Sequence, residues 1–323
     1  MTATPQEQAL PGGVPVGAAT DVAAPLARSP RQLVWRRLRR DRVAMAALAF
    51  LAVLALVAVC APLVVRVLGL TPPNEQSTTA LDAFGLPTGP SGAHPFGVDN
   101  LGRDVLSRVL YGARVSLEVA VSSTVIALLL GTAVGMLAGY YGGVVDTVLS
   151  RALDVVLAFP VFLLALGMAA SCSTASGCLG GVVKPGLGVV VFVIAFASWP
   201  YVGRLVRGQV LTLRRREFVE AARGLGFSDA RVMFGELLPN LSGPLIVYAT
   251  LIIPTNILFE AALSFLGVGV QPPDASWGSM IADAISRFDS AWWFMVFPGV
   301  ALLVTVLAFN LLGDALQDAL SGR

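Results

Sequence analysis

The sequence predicts an all-α polytopic membrane protein with six transmembrane helices and both termini cytoplasmic. Of its 323 residues, 56% are hydrophobic and only 13% charged, whereas a soluble globular domain carries nearer a quarter charged. Mean hydropathy is +0.77. The apolar residues gather into runs of about twenty, the helical length that crosses a hydrocarbon core. Disorder is excluded, because so apolar a chain buries enough surface to order itself. A net charge of +2 argues against a nucleic-acid partner, which needs a basic face.

Residues 1–30 are rich in Pro, Ala, Gly and Thr, lack periodicity and read as a disordered tail. They carry no apolar stretch behind a charged start, so they are not read as a cleavable signal. The segment 31–115 holds a basic cluster (Arg31, Arg36, Arg37, Arg39, Arg40 and Arg42 around Trp35), a first apolar run at 43–68 and a long outer loop. Within it, Val105–Arg114 reads as helical. Five more runs, at 116–139, 152–171, 186–206, 243–266 and 291–312, make a core over 116–318. Unsatisfied backbone groups in lipid cost several kcal/mol each, so helices are the expected form. The basic cluster, Arg151 and the arginines between 202 and 240 put most of the 22 Lys and Arg on the side of the termini, which is the cytoplasmic side. Arg103, Arg108 and Arg114 are the exception. Their place in the outer loop predicts that this loop is ordered.

Several chemistries are excluded. The single histidine, His94, and the three cysteines, Cys60, Cys172 and Cys178, form no metal-ligand spacing. The single lysine stands in Val183-Lys184-Pro185, so the chain has no phosphate-cradling P-loop and no ATPase of that type. Pro160, Pro200, Pro254 and Pro298 fall in the last four runs, where each removes a helical hydrogen bond and bends the helix. Bent helices suit a moving pathway, although proline is common in membrane helices generally.

A few side chains are singled out. Arg151 and Asp154 share a helix face and can pair. Glu260 lies one turn after Asn256 on one face of the fifth run; lining a pathway and bonding a neighbouring helix are both open readings. Glu118 sits near the outer end of the second run, within reach of the headgroups. Cys172 and Cys178 flank a small outer loop, where a disulfide and two free thiols are both open. Trp292 and Trp293 are expected to be interface anchors. Gly102-Arg103-Asp104 followed by a helix, with Arg108 one turn on, is a capping arrangement that would lock the outer loop.

The inner loop, about 207–242, is polar and far too long for a tight turn. Arg214 to Arg223 reads as a short helix in which the small Ala221 and Ala222 leave a close-packing face. Gly224 and Gly226 break it, and Ser228 caps a second helix with Asp229 in its first turn. Pro239 then starts the fifth span. This predicts a helix–turn–helix on the cytoplasmic surface, built to be gripped by a partner.

Glu220-Ala221-Ala222, with Gly226 six residues after the glutamate and Leu238-Pro239 further on, resembles the EAA loop of ABC importer permeases. The outer loop His94–Asp99 with Gly102–Arg108 is similar to that of the dipeptide, oligopeptide and nickel branch, in its C-type subunit. So are Leu263–Gly267 with Gln271-Pro272-Pro273, Ser276-Trp277-Gly278, Phe297-Pro298-Gly299 and Phe309–Asp314. The resemblance covers most of 31–320 and departs at Glu236, where many members are apolar. It implies a type I importer permease fold that moves di- or oligopeptides inward by alternating access, with nickel or another small solute as the alternative cargo. A secondary transporter or channel would need paired ionisable residues or a selectivity motif, and an enzyme a clustered site; neither is found.

The resemblance also implies partners: a B-type permease, two ATPase subunits carrying ATP and Mg, and an extracytoplasmic binding protein. No cofactor is expected on this chain. The coupling loop becomes 214–239, with Glu220, Ala221, Ala222, Arg223, Gly226 and Asp229 as ATPase-coupling candidates. Arg103, Asp104 and Arg108 become either the outer-loop lock or a contact for the binding protein.

Overall fold

A computed structural model describes residues 36–172, 177–178, 181–183 and 186–321. The expected tail 1–30, with Arg31, Trp35 and Lys184, lies outside these residues.

Helix α1 (Arg42–Val59) starts at Asp41, whose carboxylate accepts from the backbone N–H groups of Val43 and Ala44. The first apolar run breaks at Cys60, and α2 (Ala61–Val67) continues it with a proline in its first turn. Helix α3 (Val105–Tyr141) is one rod of 37 residues, about 55 Å long at 1.5 Å per residue, where the sequence predicts an outer helix and a separate span. It outruns a hydrocarbon core of about 30 Å because nothing between Asp104 and Gly142 stops it.

The third run differs most from expectation. Only Gly142 separates α3 from α4 (Gly143–Ala158), which is followed by α5 (Val161–Cys172) at a bend of 84°. Phe159 is extended there, as a residue ahead of proline tends to be. Pro160 therefore ends a helix instead of merely bending one. Helix α6 (Leu187–Leu213) carries Pro200 inside it. After the short α7 (Glu217–Gly224), α8 (Asp229–Phe265) runs as one element with a π-helical turn at Val232–Leu237 and prolines at 244 and 254. Outside, α9 (Trp277–Ala284) opens with a capping box between Ser276 and Ser279. Finally, α10 (Trp292–Ser321) holds Pro298. Among the described residues five helices are long and apolar enough to cross a membrane, and the α4–α5 pair, bent by 84°, meets the same length and composition only when its two halves are counted as one span.

The α3–α6 seam is the most extensive helix pair. Gly131, Gly135 and Gly139 line it one turn apart, and a Cβ on Gly135 would collide with the Gly203 carbonyl. Glycine is thus required for the backbones to approach so closely. At the inner end of this seam, Met136, Tyr140, Val206 and Val210 share one cluster with Val219, Ala222, Val232 and Leu237 of the inner loop. At the outer end, Val105 and Val109 pack with Met280, Trp293 and Phe294. Trp293 donates from Nε1 to the Val98 carbonyl at 3.1 Å. It is a buried staple for the outer loop and not the interface anchor expected, whereas Trp292 stays half-exposed.

Candidate functional site

The inner loop is built from both ends. Arg214, just past α6, donates from one guanidinium nitrogen to the carbonyls of Gly139 at 3.0 Å and Tyr140 at 3.3 Å. A cation there satisfies orphan carbonyls and faces the negative end of the α3 dipole. Glu217 and Glu220 lie in the first turn of α7, where negative charge is favoured. Val219 and Ala222 point into the core, while Phe218, Glu220, Ala221 and Arg223 are exposed. The expected close-packing alanine face is therefore split. Neighbouring helical residues differ by about 100°, so Ala222 packs inward and Ala221 is presented outward.

The turn after α7 is a Schellman motif. Phe227 N–H donates to the Ala222 carbonyl at 3.1 Å and Gly226 N–H to Arg223 at 2.9 Å, with Gly226 at φ +79°. Ser228 caps the next helix by accepting from Arg231 N–H at 3.4 Å. That helix is not a separate surface element, because α8 carries it straight through the π turn into the fifth span. The Asp229 carboxylate accepts a 2.7 Å hydrogen bond from the Tyr140 hydroxyl, and the Arg223 guanidinium lies 4.9 Å over the Tyr140 ring. Leu225, at the tip of the turn, is 75% exposed. Tyr140, Phe218 and Leu225 belong to this unit although no motif in the sequence marks them. Leu225 was legible as a large apolar residue between two glycines in a polar loop.

On the outer side, Asp99 is fully buried and accepts from Leu101 N–H and Arg103 N–H, each at 2.9 Å, and from Arg103 Nε at 2.6 Å. Arg108 Nε stands 3.5 Å from the same carboxylate, and its guanidinium also reaches the Pro73 carbonyl at 3.3 Å. Asp104, also buried, caps α3 by accepting from Ser107 N–H at 2.8 Å and pairs with His94 Nδ1 at 2.8 Å. Arg103, Asp104 and Arg108 are thus drawn into a lock around the start of α3. Asp99 is its centre, which sequence reasoning did not single out. A cavity of about 610 Å³ adjoins it, with Asn74, Arg108, Gln271 and Asp283 in its wall. Asp283 is exposed at the mouth, yet desolvation raises its carboxyl above the ordinary range, against Arg108 and Arg103, which lower it.

Asn256 is buried and ties three helices together: its amide donates to Thr124 Oγ1 at 2.9 Å, and its carbonyl accepts from Ser198 at 3.1 Å. Glu260, fully buried, accepts from Ser116 at 2.9 Å and Ser264 at 2.7 Å. The Ser116 bond joins α8 to α3. Cys172 and Cys178 are joined as a disulfide. Asp154 pairs with Arg204 at 2.9 Å in preference to Arg151, which stands 4.0 Å away. No group of metal-ligating residues occurs among the described residues.

Long apolar helices, an outer loop held by buried ion pairs and an exposed inner helix–turn define a multi-span membrane protein. The chain belongs to the family of binding-protein-dependent transport system inner membrane components, which residues 131–323 match. Residues 29–84 match the N-terminal TM domain of oligopeptide transport permease C. The chain is similar to the dipeptide transport system permease protein DppC of Alkalihalophilus pseudofirmus, at 43% identity over 73% of this chain and 74% of that one. It is likewise similar to the glutathione transport system permease protein GsiD of Pectobacterium atrosepticum, at 39% identity over 92% of both chains. Its fold matches the inward-facing MetNI methionine ABC transporter, with TM-score 0.53 at 18% identity over 66% of this chain and 97% of that one. These findings confirm the resemblance read from the sequence: a non-catalytic ABC importer permease of the inner membrane, which works with ATPase and binding-protein partners.

Proposed function

We propose that this chain is the C-type half of a permease pair importing di- or oligopeptides, coupled through residues 214–239 to two ATPase subunits. The observation that carries this reading is the exposed α7 and its Schellman turn. Glu220, Ala221, Arg223, Leu225 and Gly226 face outward while Val219 and Ala222 anchor the unit on the ends of α3 and α6. Peptide as cargo is supported by the dipeptide and glutathione permeases to which the chain is similar. ATP and Mg on the partner subunits would supply the energy. This chain's own part is to receive the loop's displacement and turn it into alternating access of the spans. The other half of the pathway falls to a B-type permease. Within the chain, we divide 1–30 as a tail, 31–115 as the first span with its ordered outer loop, and 116–318 as the permease core.

The test is reconstitution of the full importer in proteoliposomes, with uptake measured for dipeptides, oligopeptides and nickel. Peptide uptake supports the reading; uptake of nickel alone overturns the cargo assignment. Glu220→Ala and Ala221→Trp should each abolish uptake while the chain still inserts and assembles. Normal uptake by both would overturn the coupling assignment.

A further inference from the structure

α6 and α8 continue covalently from the two arms of the inner loop, so the loop moves them directly. Helix α3 has no such link and is moved only through contacts. Some are apolar: the Tyr140 ring lies in the cluster with Val219, Ala222, Val232 and Met233. Apolar contact is non-directional and permits sliding. The directional tie on the leaving arm is the 2.7 Å bond from the Tyr140 hydroxyl to Asp229, with Arg223 held 4.9 Å over the ring. Tyr140 is 4% exposed and its ring packs in the inner core cluster, while its hydroxyl donates to Asp229, an exposed residue. One side chain thereby holds both sides of the turn, α7 through Arg223 and the start of α8 through Asp229.

Resting on the coupling-loop reading above, we propose that Tyr140 is a positioning residue for transport, the clamp through which the inner loop moves α3. Helix α3 continues unbroken from Tyr141 back to its cap at Asp104. A rotation imposed at Tyr140 therefore reaches the outer lock around Asp99, Arg103 and Arg108. A tether on the entering arm exists as well, since Arg214 holds the carbonyls of Gly139 and Tyr140. Those bonds go to backbone at the helix end and do not define the rotation of a side chain. Tyr140 does.

The experiment is Tyr140→Phe in the complete importer, reconstituted in proteoliposomes, reading peptide uptake and ATP hydrolysis together. Phenylalanine keeps the ring, its packing and the stacking of Arg223 on it, and removes the hydroxyl together with its polar contacts to Asp229 and Arg223. The expected result is intact co-purification of all subunits with uptake per ATP reduced about fivefold, the equilibrium equivalent of one hydrogen bond of about 1 kcal/mol. A purely structural role would lower assembly and leave that ratio unchanged. Asp229→Ala, at an exposed position, should reproduce the loss, and the double variant should be no worse than either alone. Wild-type uptake per ATP in Tyr140→Phe, or strictly additive losses in the double variant, would overturn the proposal. Glu220→Ala run in parallel separates the two failures: if it abolishes uptake while Tyr140→Phe is normal, only the clamp falls.

Discussion

Replacing Asp99 by alanine is the sharpest test of the outer lock. Its carboxylate accepts from two backbone N–H groups at 2.9 Å and from Arg103 Nε at 2.6 Å, with Arg108 Nε at 3.5 Å. Asp99 is fully buried, and Arg103 and Arg108 are 8% and 2% exposed. Alanine leaves two guanidinium groups without their shared counter-charge, in a place where water reaches them poorly. Removing one partner of a buried pair costs about 3–5 kcal/mol, far more than the net worth of the pair, because the remaining charge stays desolvated. For a chain of 323 residues that corresponds to a fall in midpoint of roughly 4–7 °C, at about 2.1 cal/mol/K of unfolding entropy per residue. The assay is thermal unfolding of the purified chain in nanodiscs, followed by intrinsic tryptophan fluorescence. Asp99→Ala with Arg103→Ala should lose less than the sum of the two single variants, because the second change removes one stranded charge. An unchanged midpoint for Asp99→Ala would refute the view that the lock is a desolvated charge cluster.

Two further outcomes follow from packing. Gly135→Val should fail to hold the α3–α6 seam, since its Cβ would strike the Gly203 carbonyl and Val206; the cost is about 1–3 kcal/mol or more, and crosslinking of cysteines placed across the seam would report the separation. Trp277→Ala should cost about 3–5 kcal/mol, because this fully buried side chain also donates to the Val109 carbonyl at 3.1 Å; a thermal melt of the purified chain checks it, and a drop under 1 °C would contradict the packing described.

The membrane class, the inner loop and the capping roles of Asp104 and Ser228 were legible from local patterns: apolar runs, breaker glycines and short polar residues ahead of helices. Such signals need only a few neighbouring residues. The fate of Glu260, Trp293 and Tyr140 was not legible, because their partners lie 144, 195 and 89 residues away. Trp293 reads as an interface anchor until the Val98 carbonyl is brought over it. For Glu260 the sequence leaves lining a pathway and bonding a neighbouring helix both open, and the hydroxyl of Ser116 that it meets lies on a distant helix. The break at Pro160 and the continuity of α8 through Pro239 show that a proline's effect also depends on context. At Phe159 the backbone turned extended and the chain bent, while at Pro239 a preceding π turn carried the helix onward. Sequence alone determined the family and the membrane-spanning class of the chain, and its motif supports the proposal that 214–239 is the coupling loop. Tertiary structure alone decided which polar groups are paired, since pairing in a low-dielectric interior is set by geometry between distant segments.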